Sequence, residues 1–226
     1  MQSKAYRSRI ADWVSSPYHD MHQTRYRISR ILEEPELQRW RAAIRVLRYM
    51  KMTRKHAIVY KKQTNGLKVE VATDADWGSN IDDRRSVSGI IVMINAPVVS
   101  KSKFQRTVAL SSAEAEYMAF CLCVQEVLWM CSMLKNMGIG LKEATRIWED
   151  NQGAIALAKD AGYNSRTKHV DVKQHFTPDN VKRETIKVDC IDSKRQVADL
   201  LTKALGTKTL KYLSNACDIK MKITAQ

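Results

Sequence analysis

A long helix is the strongest pattern of apolar and polar positions in the chain. Counted around a helix from Glu116, one face carries six apolar side chains: Ala119, Phe120, Cys123, Val127, Met130 and Leu134. This spacing of three and four residues predicts a core-facing helix from Ser112 to about Met137, ended by Gly138 and Gly140. Glu116 therefore stands in line with a buried stripe, and a carboxylate in that position needs an explanation.

The neighbouring acid, Glu114, has a simple explanation. The run Ser111-Ser-Ala-Glu114 has the form of a capping box, in which the Glu114 carboxylate reaches back to the first backbone N–H of the helix. Two interpretations of Glu116 stay open: a solvated acid at the rim of the core, or a functional group.

Five strands are predicted from alternating and β-branched positions on both sides of this helix. In chain order they are Lys68–Thr73, Ser86–Ile94, Ala96–Lys103 extended by Thr107–Leu110, Arg146–Asp150 and Ile186–Ile191. Three strands, a long helix, and then strands alternating with helices predict an α/β fold, a five-stranded mixed sheet flanked by helices. A further short strand is predicted at His56–Lys61.

The remaining helices and turns divide the chain. Helices are predicted at Glu36–Met52, Gln152–Lys159, His169–Glu184 interrupted by Pro178, Val197–Leu205 after a second capping box at Ser193–Gln196, and 207–217. A turn at Gln63–Gly66 and a loop at Asp160–Thr167 separate them. We therefore predict a basic N-terminal helical extension over 1–65, a main domain over 66–206, and a C-terminal helix and tail over 207–226, frayed from 218.

The distribution of charged residues along the chain suggests a binding partner. The chain of 226 residues has a net charge of +14. Residues 1–65 hold fifteen Lys/Arg against five Asp/Glu, and the rest holds twenty-three against nineteen. A basic block suits a polyanion, with nucleic acid as the main candidate and an acidic protein, a membrane surface or simple solubility as alternatives. Arg41, Arg45 and Arg48 form a helical stripe that either tracks phosphates or is a solvated face.

Cysteine usage and hydropathy favour an intracellular soluble protein with no membrane partner. No run approaches the roughly 18 uninterrupted apolar residues of a membrane span, and no apolar signal core follows the N-terminus. The five cysteines are an odd number, with three of them on the long helix. We expect reduced, buried thiols, and no zinc-binding pattern is present.

The candidate catalytic and metal-binding residues are four acids, Asp74, Glu116, Asp150 and Asp199. Each has an ordinary explanation as a turn, cap, rim or first-turn residue. In a mixed sheet, however, the ends of the first and fourth strands can lie side by side, which would bring Asp74 and Asp150 together. Gathered carboxylates repel unless a divalent cation holds them, and oxygen ligands without histidine or cysteine indicate Mg²⁺ or Mn²⁺. Two such ions about 4 Å apart can promote phosphodiester hydrolysis.

Several motifs occur in order along the chain. They are Asp74-Ala-Asp-Trp, Asp83-Arg-Arg-Ser-Val-Ser-Gly89, Val108-Ala-Leu-Ser-Ser-Ala-Glu-Ala-Glu-Tyr-Met-Ala119, Glu149-Asp-Asn-Gln-Gly-Ala-Ile155, Ser165-Arg-Thr-Lys-His-Val-Asp171 and Gln196-Val-Ala-Asp-Leu-Leu-Thr-Lys-Ala-Leu205. With these motifs the chain resembles the ribonuclease H domain that ends the Pol polyprotein of copia-type LTR retrotransposons. A helix similar to Arg39–Tyr49 belongs to the preceding connecting region of the reverse transcriptase, so the resemblance covers about residues 30–215.

The resemblance implies an Mg²⁺-dependent ribonuclease acting on the RNA strand of RNA/DNA hybrids and leaving 3′-hydroxyl and 5′-phosphate ends. It implies that Asp74 bridges two ions, that Asp199 helps to hold the ion carrying the attacking water, and that Glu116 and Asp150 hold the other. Ser112 and Gln152 match positions near the minor groove of the hybrid. The implied partners are the hybrid and a reverse transcriptase domain, in a cytoplasmic virus-like particle or the nucleus.

Some features of the chain depart from the family pattern, and two alternative functions stay open. The loop Asp192–Gln196 lacks the histidine that cellular ribonucleases H place there, and little room remains for an additional basic helix. His169 and His175 belong to the family motif, and we expect structural roles for them. One rival is a non-catalytic nucleic-acid-binding or interaction remnant of a retrotransposon. Another is an integrase-like nuclease, against which the fourth acid, Asp199, and the motif order argue.

Overall fold

A computed structural model of the chain describes residues 37–61, 67–80, 82–141, 143–159, 178–181, 183 and 185–221. The elements are α1 (Leu37–Thr53), β1 (His56–Ile58), β2 (Glu70–Asp76), β3 (Val87–Ile94), β4 (Ala96–Phe104), α2 (Ser112–Asn136), β5 (Thr145–Glu149), α3 (Gln152–Lys159), β6 (Ile186–Cys190), α4 (Asp199–Thr202), α5 (Thr207–Ala216) and β7 (Ile219–Met221). Residues 178–181 are helical, as predicted after Pro178. The predictions for Gln63–Gly66, Asp160–Thr167, His169 and His175 lie outside the described residues.

The main sheet has five strands in the order β4-β3-β2-β5-β6. β2, β3 and β4 are antiparallel neighbours, whereas β5 runs parallel to both β2 and β6. The predicted mixed α/β sheet is therefore confirmed. Because β5 returns beside β2 after the long helix, the carboxyl ends of two parallel strands meet at one edge of the sheet.

The helix α2 covers one face of this sheet. Its predicted apolar stripe is buried, with no member of the six more than 4% exposed. Complete burial of each large side chain in such a stripe contributes roughly 1.5–3 kcal/mol. The helix is also apolar and long enough to cross a membrane by length and composition, a property that buried core helices share. Here it packs against β2, β3 and α3 in the main core.

Both ends of α2 have the predicted local chemistry. The Ser111 side chain accepts a hydrogen bond from the Glu114 N–H, and the Glu114 carboxylate accepts one from the Leu110 N–H at 2.7 Å. The carboxylate thus reaches one residue further back than a standard capping box. Gly138, with φ of 77°, follows the helix, and the Ile139 N–H bonds back to the Leu134 carbonyl at 2.9 Å. This left-handed residue closes the helix as a Schellman motif.

The predicted extension of the third strand is wrong. Residues Thr107–Leu110 form a loop, and β4 ends at Phe104. The reason is Gln105, whose buried side-chain amide donates to the Ser88 hydroxyl at 3.0 Å and to the Ala115 carbonyl at 2.8 Å. Because these bonds hold the chain against α2, the residues that follow cannot continue the strand.

The second predicted capping box is also wrong. Ser193–Arg195 is a short 3₁₀ turn capped by Asp192, and α4 is a single turn rather than a helix over Val197–Leu205. The Gln196 side chain does not reach back to Ser193 as a capping box requires, and its oxygen accepts from the Ala198 N–H at 3.3 Å instead. It is fully buried and donates to the Thr73 carbonyl of β2 at 2.9 Å. A long-range bond to the sheet therefore replaces the local bond that the sequence pattern suggested.

The tail after residue 218 is not frayed throughout. β7 pairs with β1 as a small antiparallel sheet, and Lys61 forms a 3.1 Å ion pair with Asp218. Segments of the predicted extension and tail therefore contact each other, while the boundaries at 65 and 206 remain predictions. The predicted helix α1 is present, with Trp40, Leu47 and Met50 exposed. None of the five cysteines forms a disulfide, as expected, and Cys121, Cys123 and Cys217 are buried, whereas Cys131 is only partly buried and Cys190 is exposed.

Candidate metal centre at the sheet edge

Three of the four predicted acids meet at the edge where β2 and β5 end. The parallel pairing aligns Ala72 with Trp148, so Asp74 and Asp150 follow at neighbouring positions. α2 crosses this face and brings Glu116 to them. One carboxylate oxygen of each of Asp74, Glu116 and Asp150 lies within 4.8 Å of the others. The structure therefore brings together three acids that are 42 and 34 residues apart in sequence (116 − 74 and 150 − 116).

Glu116 is held in place by the backbone of β2. Its carboxylate accepts a hydrogen bond from the Ala75 N–H at 2.6 Å, and the residue is only 7% exposed. Burial, followed by the negative charges of Asp74, Glu149 and Asp150, raises the pKa of Glu116 to about 10. In the absence of a cation the site therefore keeps a proton on Glu116, which lowers the repulsion between the acids.

Asp199 lies beside Asp74, and the side-chain ammonium of Lys203 bridges the two carboxylates. The Lys203 ammonium is 2.9 Å from Asp74 Oδ1 and 2.7 Å from Asp199 Oδ1. The Thr202 hydroxyl donates to the second Asp74 oxygen. Burial and then the charge of Asp74 raise the pKa of Asp199 to about 7. Among the described residues Asp199 does not join the group of three acids, and Lys203 connects it to that group.

Gly89 lets α4 approach the sheet closely enough for this arrangement. It pairs with Asp74 across β2 and β3. A Cβ added at Gly89 would lie 2.7 Å from the Thr202 methyl, 3.0 Å from the Leu201 Cβ and 3.1 Å from the Ala198 carbonyl. Any side chain at this position would therefore push away the turn that carries Asp199 and Lys203.

Asp76 and Glu149 are acids of this region with structural contacts. Asp76 accepts a hydrogen bond from the Val87 N–H of β3. Glu149 is fully buried and accepts one from the Asn151 N–H at 3.0 Å, and burial raises its pKa to about 8. Glu149 was not among the predicted site residues. The signal was available, since strand alternation places it on the same inward face as Ile147.

The predicted nucleic-acid contacts fall on exposed helix positions. Ser112 and Gln152 begin α2 and α3, and both are exposed. These two helix starts are close, because a Cβ added at Gly153 would lie 2.9 Å from the Ala113 Cβ. The side chains of Arg41, Arg45 and Arg48 are exposed on α1. Contact of any of these residues with nucleic acid remains a prediction.

The donor set suits a hard divalent cation. The three clustered acids offer only carboxylate oxygens, which Mg²⁺ and Mn²⁺ prefer over nitrogen or sulfur. Asp74 and Glu116 are buried, so negative charge on both would be poorly hydrated unless a cation lies between them. The residues of this group therefore fit a divalent cation.

Comparison with known proteins gives relatives along most of the chain. No protein-family model matches it. The retrovirus-related Pol polyprotein from transposon RE2 of Arabidopsis thaliana is 36% identical over 189 residues, 83% of this chain and 13% of that protein. The corresponding polyprotein from transposon TNT 1-94 of Nicotiana tabacum is 36% identical over 179 residues, 79% of this chain and 13% of that protein. The chain thus spans a small part of the relatives it matches.

A solved structure with a related arrangement is LC11-RNase H1 in complex with an RNA/DNA hybrid. It is 13% identical, covers 63% of this chain and 99% of its own, and has a TM-score of 0.44. Because that score is low, the fold class rests on the strand order and its connections.

A mixed sheet in the order β4-β3-β2-β5-β6, with the long helix between β4 and β5, defines a ribonuclease H-like domain. Over about four fifths of its length the chain is homologous to a segment of the retrovirus-related Pol polyproteins of transposons, 36% identical over 83% and 79% of the chain. The resemblance inferred from the motifs is therefore confirmed.

Proposed function

We propose that the chain is an endoribonuclease that hydrolyses the RNA strand of RNA/DNA hybrids and leaves 3′-hydroxyl and 5′-phosphate ends. The observation that carries the proposal is the group of Asp74, Glu116 and Asp150, whose oxygens lie within 4.8 Å of one another at the edge of the sheet. A cluster of carboxylates, two of them buried, has little value for stability, because the buried charges lose their hydration. Its natural use is to bind cations that act on a phosphodiester.

The proposed cofactor is a pair of Mg²⁺ ions, with Mn²⁺ as an alternative. Asp74 would be shared by both ions, Glu116 and Asp150 would hold one, and Asp199 would help to hold the other. When bound, the ions supply Lewis-acid stabilisation of the attacking and leaving oxygens of the phosphodiester.

The protein contributes by keeping these carboxylates fixed. Thr202 donates a hydrogen bond to one Asp74 oxygen, and the Ala75 N–H donates to Glu116. Both acids lie on regular elements, β2 and α2, rather than on loops. Ligands that are already oriented need little reorganisation when charge develops in the transition state, which is where preorganised sites gain most of their rate.

Substrate selection would come from exposed groups around the acids. Hydroxyl and amide side chains at Ser112 and Gln152 are suited to hydrogen bonds with the 2′-hydroxyls that distinguish RNA from DNA. The exposed Arg41, Arg45 and Arg48 on α1 are suited to phosphates. A linked reverse transcriptase domain is the proposed partner, which would place the activity in a cytoplasmic virus-like particle or the nucleus.

The test is cleavage of a labelled RNA/DNA hybrid with Mg²⁺. We expect Glu116→Gln to abolish cleavage with little loss of stability, because Gln resembles the protonated carboxyl that the metal-free protein already holds and can still accept from Ala75. Asp74→Asn should also abolish cleavage, with some loss of stability because Lys203 and Thr202 lose an acceptor. Glu126→Gln is the matched control, since Glu126 is on the same helix and pairs with Lys101 at the surface at 2.6 Å. Cleavage that continues unchanged in both site variants would refute the assignment.

The exposed arginines favour a second candidate, a nucleic-acid-binding remnant without catalysis. Such a protein would bind the hybrid with an affinity that falls steeply with salt. Salt-sensitive binding without Mg²⁺-dependent cutting would support this candidate over the nuclease.

A further inference from the structure

Lys203 already places a positive charge inside the acid cluster. It lies four residues after Asp199, so one turn of α4 directs its side chain back toward that acid. Its ammonium is 2.7 Å from Asp199 Oδ1 and 2.9 Å from Asp74 Oδ1. Within the described part of the chain, it is the one basic side chain at hydrogen-bond distance from any of the four acids. The ammonium therefore bridges two of the proposed metal ligands.

The two sides of the cluster differ because of this bridge. On one side, Glu116 and Asp150 converge on Asp74, and among the described residues no basic side chain lies at hydrogen-bond distance from Glu116 or Asp150. On the other side, Asp74 and Asp199 share the Lys203 ammonium. Asp74 is fully buried and Asp199 is 8% exposed, so these two charges are poorly hydrated and need a partner. Lys203 provides that partner when no metal is bound.

We infer that Lys203 occupies the cation position between Asp74 and Asp199 in the metal-free protein and competes with a divalent cation for it. This inference rests on the proposed metal site. Its consequence is that the two positions differ in affinity: the side of Glu116 and Asp150 binds first, and the side of Asp199 binds only when the ammonium withdraws.

The side chain of Lys203 can move its ammonium out of the position between Asp74 and Asp199. It is 40% exposed, so the ammonium has a path to solvent that Asp74 does not have. Lysine is a compact charge on a flexible four-carbon stem, and its stem can remain on the protein while the ammonium is hydrated. Withdrawal does require the loss of two charge-assisted hydrogen bonds, which is why the second position is weaker than the first.

The test is calorimetric titration with Mn²⁺ in the absence of nucleic acid. For the wild-type chain we expect one tighter and one weaker position. Lys203→Met retains the apolar stem without the ammonium, and it should tighten the weaker position by about tenfold or more. Lys208→Met is the control for net charge, because Lys208 is exposed on α5. It should leave both affinities unchanged within about twofold, the change that a distant screened charge produces.

A second measurement separates competition from simple damage to the fold. In EDTA, Lys203→Met should lower the unfolding temperature more than Lys208→Met does, because Asp74 and Asp199 then lose their partner. Mn²⁺ should raise the unfolding temperature more in Lys203→Met than in the wild type. A variant that is only misfolded would instead bind Mn²⁺ more weakly.

The outcomes distinguish this inference from the proposed function. If wild-type protein cleaves the hybrid but Lys203→Met binds Mn²⁺ with unchanged affinities, the inference is wrong and the nuclease stands. If the wild type fails to cleave while Lys203→Met gains a tighter position, the inference stands and the proposed activity is wrong. If neither protein binds Mn²⁺, the proposed metal site and the inferred competition by Lys203 are both wrong.

Discussion

Replacing Gly89 with alanine tests whether close packing behind the site positions its acids. Gly89 lies directly opposite Asp74 in the sheet, and α4 rests on it. An alanine Cβ would be 2.7 Å from the Thr202 methyl and 3.0 Å from the Leu201 Cβ. Neither neighbour is the end of a long flexible side chain that could turn aside. The contact can be relieved only by moving α4 away from β3.

The size of that movement follows from ordinary contact distances. Carbon atoms attract one another most at about 3.5–4.0 Å, so the turn has to move by about 0.8 Å or more from its position. Asp199, Thr202 and Lys203 move with it, whereas Asp74 stays in the sheet. Overpacking of this kind costs roughly 1–3 kcal/mol of stability. A displacement of about 1 Å in a catalytic group can reduce the rate by about 100-fold.

We therefore expect Gly89→Ala to fold with a lowered unfolding temperature and to cleave an RNA/DNA hybrid about 100-fold more slowly at a temperature where it remains folded. Gly140→Ala is the matched control, because a Cβ there has no neighbour within 4 Å. It should cleave at the wild-type rate. A folded Gly89→Ala protein that cleaves within about threefold of the wild-type rate would refute the reasoning. Such a rate would mean that the added Cβ does not displace α4.

Two further predictions concern the acids themselves. Glu114→Ala should lower the free energy of unfolding by about 1 kcal/mol through the lost bond to Leu110, and it should leave cleavage nearly unchanged; a large loss of cleavage would contradict its role as a cap. In EDTA the free energy of unfolding should fall as pH rises above about 5, because burial raises the pKa of Glu149 to about 8 and of Glu116 to about 10, so the folded protein holds protons that the unfolded chain has released. Glu116→Gln should make the fall shallower in chemical denaturation curves, and an equal or steeper fall would show that Glu116 is ionised in the metal-free fold.

The long helix and its acid were predictable because their information is local. Six apolar residues at helical spacing identify the buried face, and Glu116 belongs to that face by its number alone. The meeting of Asp74 and Asp150 was predictable for a different reason. A strand that returns parallel after a long helix has its carboxyl end at the same edge as the first strand, so topology brings the two acids together without knowledge of side-chain contacts.

Features that depend on contacts between distant segments were not predictable. Gln105 ends β4 by bonding to α2, and Gln196 bonds to β2 where the pattern suggested a helix cap. Lys203 had the sequence position of an ordinary solvated lysine. Its bridge to Asp74 joins residues 129 positions apart, and no pattern within α4 reveals it. A buried amide or ammonium acquires its role only when the other segment is in place.

The partners that compensate the four acids in the metal-free protein explain how the site can be stable and still bind a cation. Glu116 is compensated by a proton, whereas Asp74 and Asp199 are compensated by the Lys203 ammonium. Asp150 is only half-buried and retains some hydration. Under the proposed function, a divalent cation would replace the proton, the ammonium and the water. A permanent apolar replacement would have been more stable, so the retention of replaceable partners is the feature that suits these acids to binding a cation.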